Sequence, residues 1–418
     1  MKFFTYTFGC RVNQYETESL REQLSLSGWQ AVDAAESADL YLINTCTVTQ
    51  EADRDCLKLL RKIQKKNPSA RIVVTGCYAT RAPQEIHAVA PQAVIVNNQD
   101  KNNIPALLGC QVVSSDYGIR EFHAHSRAFL KIQDGCNMHC TYCIIPSVRG
   151  SLTSKPYAQV EEEFRSLLRS GYQEIVLCGV RLGRYLVWDK EGKRVDFVEL
   201  LNHLIQLPGR FRIRLSSFEI TDVTDRFLQL FVNSAGKICP SFHLPLQSGA
   251  DKVLERMQRW YTTRFYQQRI EALRRAHPDV GLFTDLMVGF PQETREEFER
   301  STQFVLEMGF SGLHVFRYSS REGTPAASFP AVAEEEIWQR AERMRSLDRE
   351  LRKQFGLSAV GQRREVLVEK NGSETEGVTD HFLRVSLKGP PPSTGLHWAH
   401  ILRVEENPPF QVVAECLS

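Results

Sequence analysis

No stretch of this 418-residue chain approaches the roughly 18 uninterrupted apolar residues of a membrane-spanning helix, so no membrane association is expected. Neither sign of charge is in excess. With 52 Lys and Arg against 50 Asp and Glu, the net charge is +2, which excludes a uniformly basic nucleic-acid coat but not a local basic face. Low-complexity tracts and long internal repeats are missing. The start, MKFFTYTFGC, has no small-residue cleavage site behind a long apolar core; it reads as mature protein, and a cytoplasmic location is expected. What is present is ordinary: 42% hydrophobic and 24% charged residues, enough to build cores and to exclude wholesale disorder. At roughly 150 residues per domain the length suggests two or three domains.

Cysteine is the exception to that plainness, with eleven in the chain. A reducing compartment and a chain this long leave no need for disulfide staples, so an ordered cysteine pattern points to metal or redox chemistry. Cys136, Cys140 and Cys143 form the array C-x-x-x-C-x-x-C. Cys10, Cys46 and Cys77 are spaced by 36 and 31 residues, about one βα unit each. Cys56, Cys110, Cys178, Cys239 and Cys416 read as structural or incidental, since an isolated cysteine is most simply a small buried hydrophobe.

The first hundred residues alternate apolar β-rich runs (FFTYTFGC, LYLINTC, RIVVTGC, AVIVNN) with helical patterns over Glu16–Leu26 and Asp53–Lys66. That alternation predicts a doubly wound parallel sheet. Three of the runs end in Cys10, Cys46 and Cys77, and carboxyl ends of parallel strands share the edge where such folds hold ligands. An irregular stretch from about Asn102 to Ser126 is expected to be a linker. A second βα series then begins with AFLKIQDGC and continues through EIVLCGV, FRIRLSSFE, SFHLPLQSG, VGLFTDLMVGFP and GLHVFRYSS. It predicts a partial or closed parallel barrel, with the Cys136 loop at its carboxyl edge. A charged helix over Glu334–Phe355 follows, then short strands of a small β-barrel. The domains expected are 1–115, 122–353 and 357–418.

The Cys136 cluster offers three thiols and no convincing fourth ligand, because His139 adjoins Cys140 and would have difficulty reaching the same ion. Zinc sites want four ligands, whereas a 4Fe–4S cubane held by three thiolates leaves one iron open to a substrate or cofactor. The spacing at the opening of a βα barrel is the hallmark of radical S-adenosylmethionine enzymes. The segments TFGCRVNQYET, NTCTVT, VTGCYA, DGCNMHCTYCIIPSVRG, GVRLGRY, RLSSFE, LPLQSGAD, TDLMVGFPQET and HVFRYSSREGTPAA resemble the methylthiotransferase family over nearly the whole chain. The terminal barrel resembles the TRAM module of RNA-modifying enzymes. GCRVNQYE and LGRY look most like the branch acting on threonylcarbamoyladenosine in tRNA.

That resemblance implies two 4Fe–4S clusters, on Cys136, Cys140 and Cys143 and on Cys10, Cys46 and Cys77. The first would chelate S-adenosylmethionine and yield a 5′-deoxyadenosyl radical that takes hydrogen from carbon 2 of the adenine. The second would carry the methylthio group. Tyr142, Gly179 and Ser217 are expected near the S-adenosylmethionine. The implied partners are tRNA, a reducing electron-donor protein and a sulfur source. Four positions depart from the branch: Arg181 where Asn is usual, Thr153 for Arg, Arg317 for Pro and Gln292 for Gly. Other substrates in the same class are isopentenyladenosine in tRNA and a ribosomal protein; a non-catalytic metal-thiolate RNA-binding protein is the alternative of another class. The basic stretch Arg54–Arg71 reads more simply as a solvated helix face than as a phosphate contact, and the terminal barrel, with six basic and eight acidic residues, is not marked as RNA-binding by composition.

Overall fold

The computed structural model describes all residues except 34–37, 111–117, 123–125, 372–373, 390–392, 406–410 and 418. The first apolar runs form β1 (Lys2–Thr7), β3 (Leu40–Thr45), β4 (Arg71–Gly76) and β5 (Val94–Ile95), joined by a two-residue β2 (Gln30–Ala31) that the pattern does not reveal. They pair in parallel in the order β2–β1–β3–β4–β5, a doubly wound sheet. Central β3 is buried at every position, which explains its unbroken apolar run. Helices α1 (Arg11–Leu26), α2 (Gln50–Lys66) and α3 (Cys77–Arg81) start at the carboxyl ends of β1, β3 and β4. Thr49 caps α2 by accepting from the Ala52 amide, so the helix begins before the expected Asp53.

The expected linker is docked at both ends. Ile104, Leu108 and Cys110 are buried against the amino-terminal sheet, and Ile119 and Phe122 are buried in the central core. Part of that stretch lies outside the described residues.

The central domain contains β6 (Ala128–Lys131), the short antiparallel pair β7 (Gln133–Asp134) and β8 (Thr153–Ser154), β9 (Glu174–Cys178), the hairpin β10 (Leu186–Trp188) and β11 (Arg194–Asp196), β12 (Arg212–Leu215), β13 (Ser241–His243), β14 (Gly281–Val288) and β15 (Gly312–Arg317). Parallel sheets β6–β9–β12 and β13–β14–β15 are stitched together by bridges at Ile213–Ile238 and Ser217–His243. Among the described residues β6 and β15 do not pair, so the barrel is partial rather than closed. Gln292 has φ +65°, a conformation glycine reaches without steric cost, and its amide donates to the Pro330 carbonyl.

The helix expected over Glu334–Phe355 runs on to Ala359; Ala341 and Met344 pack in the central core while Ala359 packs in the terminal one. The terminal domain is a closed five-stranded barrel, β16 (Arg363–Asn371), β17 (Glu374–Thr379), β18 (Arg384–Lys388), β19 (Gly395–Glu405) and β20 (Gln411–Cys416), in the order β16–β17–β18–β20–β19. The sequence ETEGVT of β17 is too polar to have announced a strand.

A buried ionic joint fixes this barrel beneath the central one. Glu174, at the amino end of β9, accepts from Arg212 Nε at 2.7 Å and Arg214 Nε at 2.8 Å. The same guanidinium groups donate to the carbonyls of Glu365, Val378, Thr379 and Asp380. Burial alone would raise the Glu174 carboxyl, but Arg214 and Arg212 hold it far below the ordinary range. No helix among the described residues is long and apolar enough to cross a membrane.

Candidate cofactor and substrate site

Cys10 is the residue before α1, Cys46 directly follows β3, and Cys77 opens α3 directly after β4, so the parallel sheet delivers all three to one edge. Two glycines allow the approach. Gly9, at φ +92°, lies where a Cβ would meet the Cys46 Cβ at 2.6 Å and Sγ at 2.7 Å. Gly76, at φ +98°, lies where a Cβ would meet the Thr45 carbonyl oxygen at 2.4 Å. The dipeptide Gly-Cys at both places is the sequence trace of this crowding. Burial pushes the Cys46 thiol up to about 12, and Cys77 and Cys10 add to the rise. Burial also raises the Cys77 thiol, with Arg149 acting in the opposite direction.

The second set lies on the loop after β7. Cys136 Sγ accepts from the Met138 amide at 3.4 Å, and Cys140 Sγ accepts from Arg259 Nη1 at 3.3 Å. Burial pushes the Cys143 thiol up to about 12, with Cys140 and Cys136 adding to it. Cys136 is raised by burial and lowered by Met138 and Arg181. Across the domain boundary Cys77 of the first set packs against Ile144 and Val148, just beyond Cys143 of the second.

All eleven cysteines are free. Only His243, Asp285 and His314 bring three ligand atoms within 4.8 Å of one another among the described residues. Thiolates on a single zinc ion, at bonds of about 2.3 Å, cannot stand more than about 4.6 Å apart. Neither cysteine set is therefore gathered for one zinc ion. Three thiols per set, with N–H donors on Cys136 and Cys140 of the second, fit the donor set of an iron–sulfur cluster with one open iron.

The weaker candidates have structural employment. Tyr142 packs against Phe290, ring centroids 6.5 Å apart, in a small apolar cluster beneath the Cys136 loop. Gly179 lies where a Cβ would meet the Gln133 Cβ at 3.0 Å. Ser217 Oγ is 2.9 Å from His243 Nδ1, and His243 Nε2 is 2.8 Å from Asp285 Oδ1. His314 Nδ1 reaches the same Asp285 oxygen at 3.3 Å. Burial would raise the Asp285 carboxyl; hydrogen bonds from His243 and His314 hold it at about 2. This polar array, on β13, β14 and β15, is one that sequence inspection missed: its residues are widely separated and only strand register aligns them.

The two domains are joined by a second buried ionic network. Glu16 of α1 pairs with Lys131 at 2.6 Å and with Arg149 at 3.1 Å, and also with Lys101. Arg149 reaches Asp134 at 2.9 Å. Beside it a charged cavity of about 620 Å³ opens, lined by Tyr15, Glu16, Lys101, Arg149 and Glu163 but by none of the six cysteines.

Residues 2–97 match the model of the uncharacterized protein family UPF0004, and residues 130–305 match that of the Radical SAM superfamily. The chain is 36% identical over 409 residues to the threonylcarbamoyladenosine tRNA methylthiotransferase of Bacillus subtilis (strain 168), covering 92% of this chain and 90% of the relative. It is 36% identical over 378 residues to that of Thermotoga maritima, covering 87% and 85%. A tRNA-2-methylthio-N(6)-dimethylallyladenosine synthase of Cereibacter sphaeroides is 32% identical over 408 residues, covering 93% and 92%. Among solved structures, the radical S-adenosylmethionine methyltransferase TsrM from Kitasatospora setae, with cobalamin and a 4Fe-4S cluster bound, superposes with a TM-score of 0.56 at 12% identity over 78% of this chain and 77% of that one; the likeness extends to the fold alone.

Proposed function

The chain belongs to the radical S-adenosylmethionine methylthiotransferase family, and from that premise we propose that it adds a 2-methylthio group to N6-threonylcarbamoyladenosine next to the anticodon of tRNA. The observation that carries the substrate is 34–36% identity, over about nine tenths of the chain, to several enzymes named for that nucleoside. Dimethylallyladenosine is the second reading, supported by relatives at 31–32%. A non-catalytic metal-thiolate RNA-binding protein is disfavoured by the match of residues 130–305 to the Radical SAM superfamily and by the methylthiotransferase relatives.

In this proposal Cys136, Cys140 and Cys143 hold the 4Fe–4S cluster that takes S-adenosylmethionine, and Cys10, Cys46 and Cys77 hold a second. When bound, the clusters supply the electron for cleavage of S-adenosylmethionine and the site from which sulfur is transferred. The polypeptide aims the ligands and excludes competing reactions. Gly179 keeps the rim of β9 free of a side chain beside Gln133. Arg259 fixes Cys140, and Tyr142 seats the loop on its apolar base. Ser217 orients His243 at the barrel wall, within the region allotted to S-adenosylmethionine. Domains 1–115, 122–353 and 357–418 serve as sulfur-handling, radical-generating and TRAM-like RNA-binding parts. A reducing donor protein and a sulfur source are required partners, and the cytoplasm is the compartment that offers them with tRNA.

The test is mass spectrometry of tRNA nucleosides from cells lacking the gene. Loss of 2-methylthio-N6-threonylcarbamoyladenosine with accumulation of its unthiolated precursor supports the assignment. Loss of a methylthiolated dimethylallyladenosine instead moves the enzyme to the second reading.

A further inference from the structure

Arg181 lies three residues beyond β9, at the carboxyl edge of the barrel. Its side chain is 1% exposed. Its backbone amide donates to Gln133 Oε1 at 2.6 Å, which ties it to the strand leading into the Cys136 loop. The guanidinium is stacked over Trp260, 5.1 Å from the ring centroid, and its charge acts on Cys136. Its polar contacts are meagre for a buried cation. Nη2 donates to Thr221 Oγ1 at 3.4 Å and stands 3.8 Å from Asp222 Oδ2, while Nε and Nη1 have no hydrogen-bond partner. Asp222 is in turn shared with Arg184, whose Nε is 3.3 Å from Oδ1. Asp222 is thus divided between a half-exposed Arg184, which water also solvates, and a buried Arg181, which is left with two unpaired donors.

A buried, ionised donor without an acceptor is costly and persists where a ligand completes it. We propose that Arg181 holds the carboxylate of a ligand bound beside the Cys136 loop. A guanidinium matches a carboxylate through paired N–H donors, and Trp260 holds this one flat and preoriented. The inference rests on the function proposed above, whose two ligands each carry one carboxylate: that of the methionine part of S-adenosylmethionine, and that of the threonyl group on the nucleoside.

The experiment uses cluster-loaded enzyme and measures affinities rather than turnover. One arm compares S-adenosylmethionine with its decarboxylated analogue. The other compares tRNA bearing threonylcarbamoyladenosine with the same tRNA bearing plain adenosine at that position. In the wild type the carboxylate should favour binding by about 10- to 100-fold in one arm. In Arg181→Gln that preference should fall by about tenfold in one arm and stay unchanged in the other, and the arm in which it falls identifies the ligand. Iron content and thermal midpoint are measured on the same samples. If Arg181→Gln loses iron or unfolds, Arg181→Lys, which keeps the charge without the fork, should retain part of the preference. Unchanged preferences in both arms, in whichever variant stays folded, overturn the assignment of Arg181 while leaving the proposed function intact. A wild type that binds neither S-adenosylmethionine nor the tRNA overturns both.

Discussion

Arg259 Nη1 lies 3.3 Å from Cys140 Sγ, while its Nη2 is anchored to Glu219 at 2.6 Å and its Nε to the Tyr261 hydroxyl at 3.2 Å. A guanidinium so fixed aims a charged donor at one thiolate of the Cys136 set, and hydrogen bonds to cluster sulfurs raise the reduction potential. Arg259→Met should lower the midpoint potential of that cluster by several tens of millivolts, on the order of the 59 mV that one decade represents for one electron. A spectroscopic redox titration of the loaded protein measures it. An unshifted potential with full iron content would show that Arg259 serves packing alone.

The two cysteine sets should separate by product. Cys140→Ala should abolish formation of 5′-deoxyadenosine, because the iron that takes S-adenosylmethionine goes with its cluster. Cys46→Ala should leave some 5′-deoxyadenosine but no methylthiolated nucleoside, and iron should fall by about half in either variant. Both products are assayed in parallel under anaerobic, reducing conditions. Wild-type methylthiolation by Cys46→Ala would sink the two-cluster reading.

Glu16 is 5% exposed and compensates cations from both domains: Lys101 from its own, Lys131 and Arg149 from the central one. Burial alone would raise its carboxyl, but Lys101, Lys131 and Arg149 hold it well below the ordinary range, so it is charged in the native state. Removing one partner from such a network strands the others. Glu16→Gln should destabilise the protein by about 3–5 kcal/mol. Urea unfolding measures the loss, and adding Arg149→Met should recover part of it; additive losses would deny the coupling.

Acid stability should carry the signature of Asp285. Its folded value is about 2, against 3.8 unperturbed, so the group contributes stability that is fully present above about pH 4 and lost as pH falls toward 2. The contribution is about 2 kcal/mol, and Asp285→Asn should flatten that part of the stability curve. Parallel curves for the two proteins between pH 4 and pH 2 would contradict this assignment.

Deleting the terminal barrel is a poor test of RNA binding, because it removes the carbonyl acceptors of Arg212 and Arg214 and uncovers Glu174. Truncation after Ala359 should lower the thermal midpoint by several degrees or more. Charge removal on α2 leaves the fold intact: Arg61, Lys62 and Lys65 are exposed. Because that face is solvated, the triple alanine variant should leave tRNA affinity and the slope of its salt dependence unchanged, in keeping with RNA binding by the terminal barrel. A weakened affinity with a slope reduced by up to about 3 would move the phosphate contact to α2.

The cysteine spacing, the alternation of strands and helices and the closing β-segments were legible in the sequence because each is a local signal. Apolar runs such as LYLINT become strands buried on both faces, and the turn glycines Gly9 and Gly76 precede the cysteines they make room for. From these alone followed the doubly wound sheet, the partial parallel barrel after it and the delivery of Cys10, Cys46 and Cys77 to one sheet edge. Short elements such as β2 and the polar β17 escaped, since two residues or an unalternating polar run carry no period. What only the tertiary structure decided was the pairing of buried charges. Glu16 with Arg149, Glu174 with Arg214, Asp285 with His314 and the stranded guanidinium of Arg181 involve residues distant in the chain or flanked by unremarkable neighbours. A charged residue looks the same in sequence whether solvated or buried. Its meaning depends on the dielectric and the partners that folding brings, and these are fixed by strand register and domain docking.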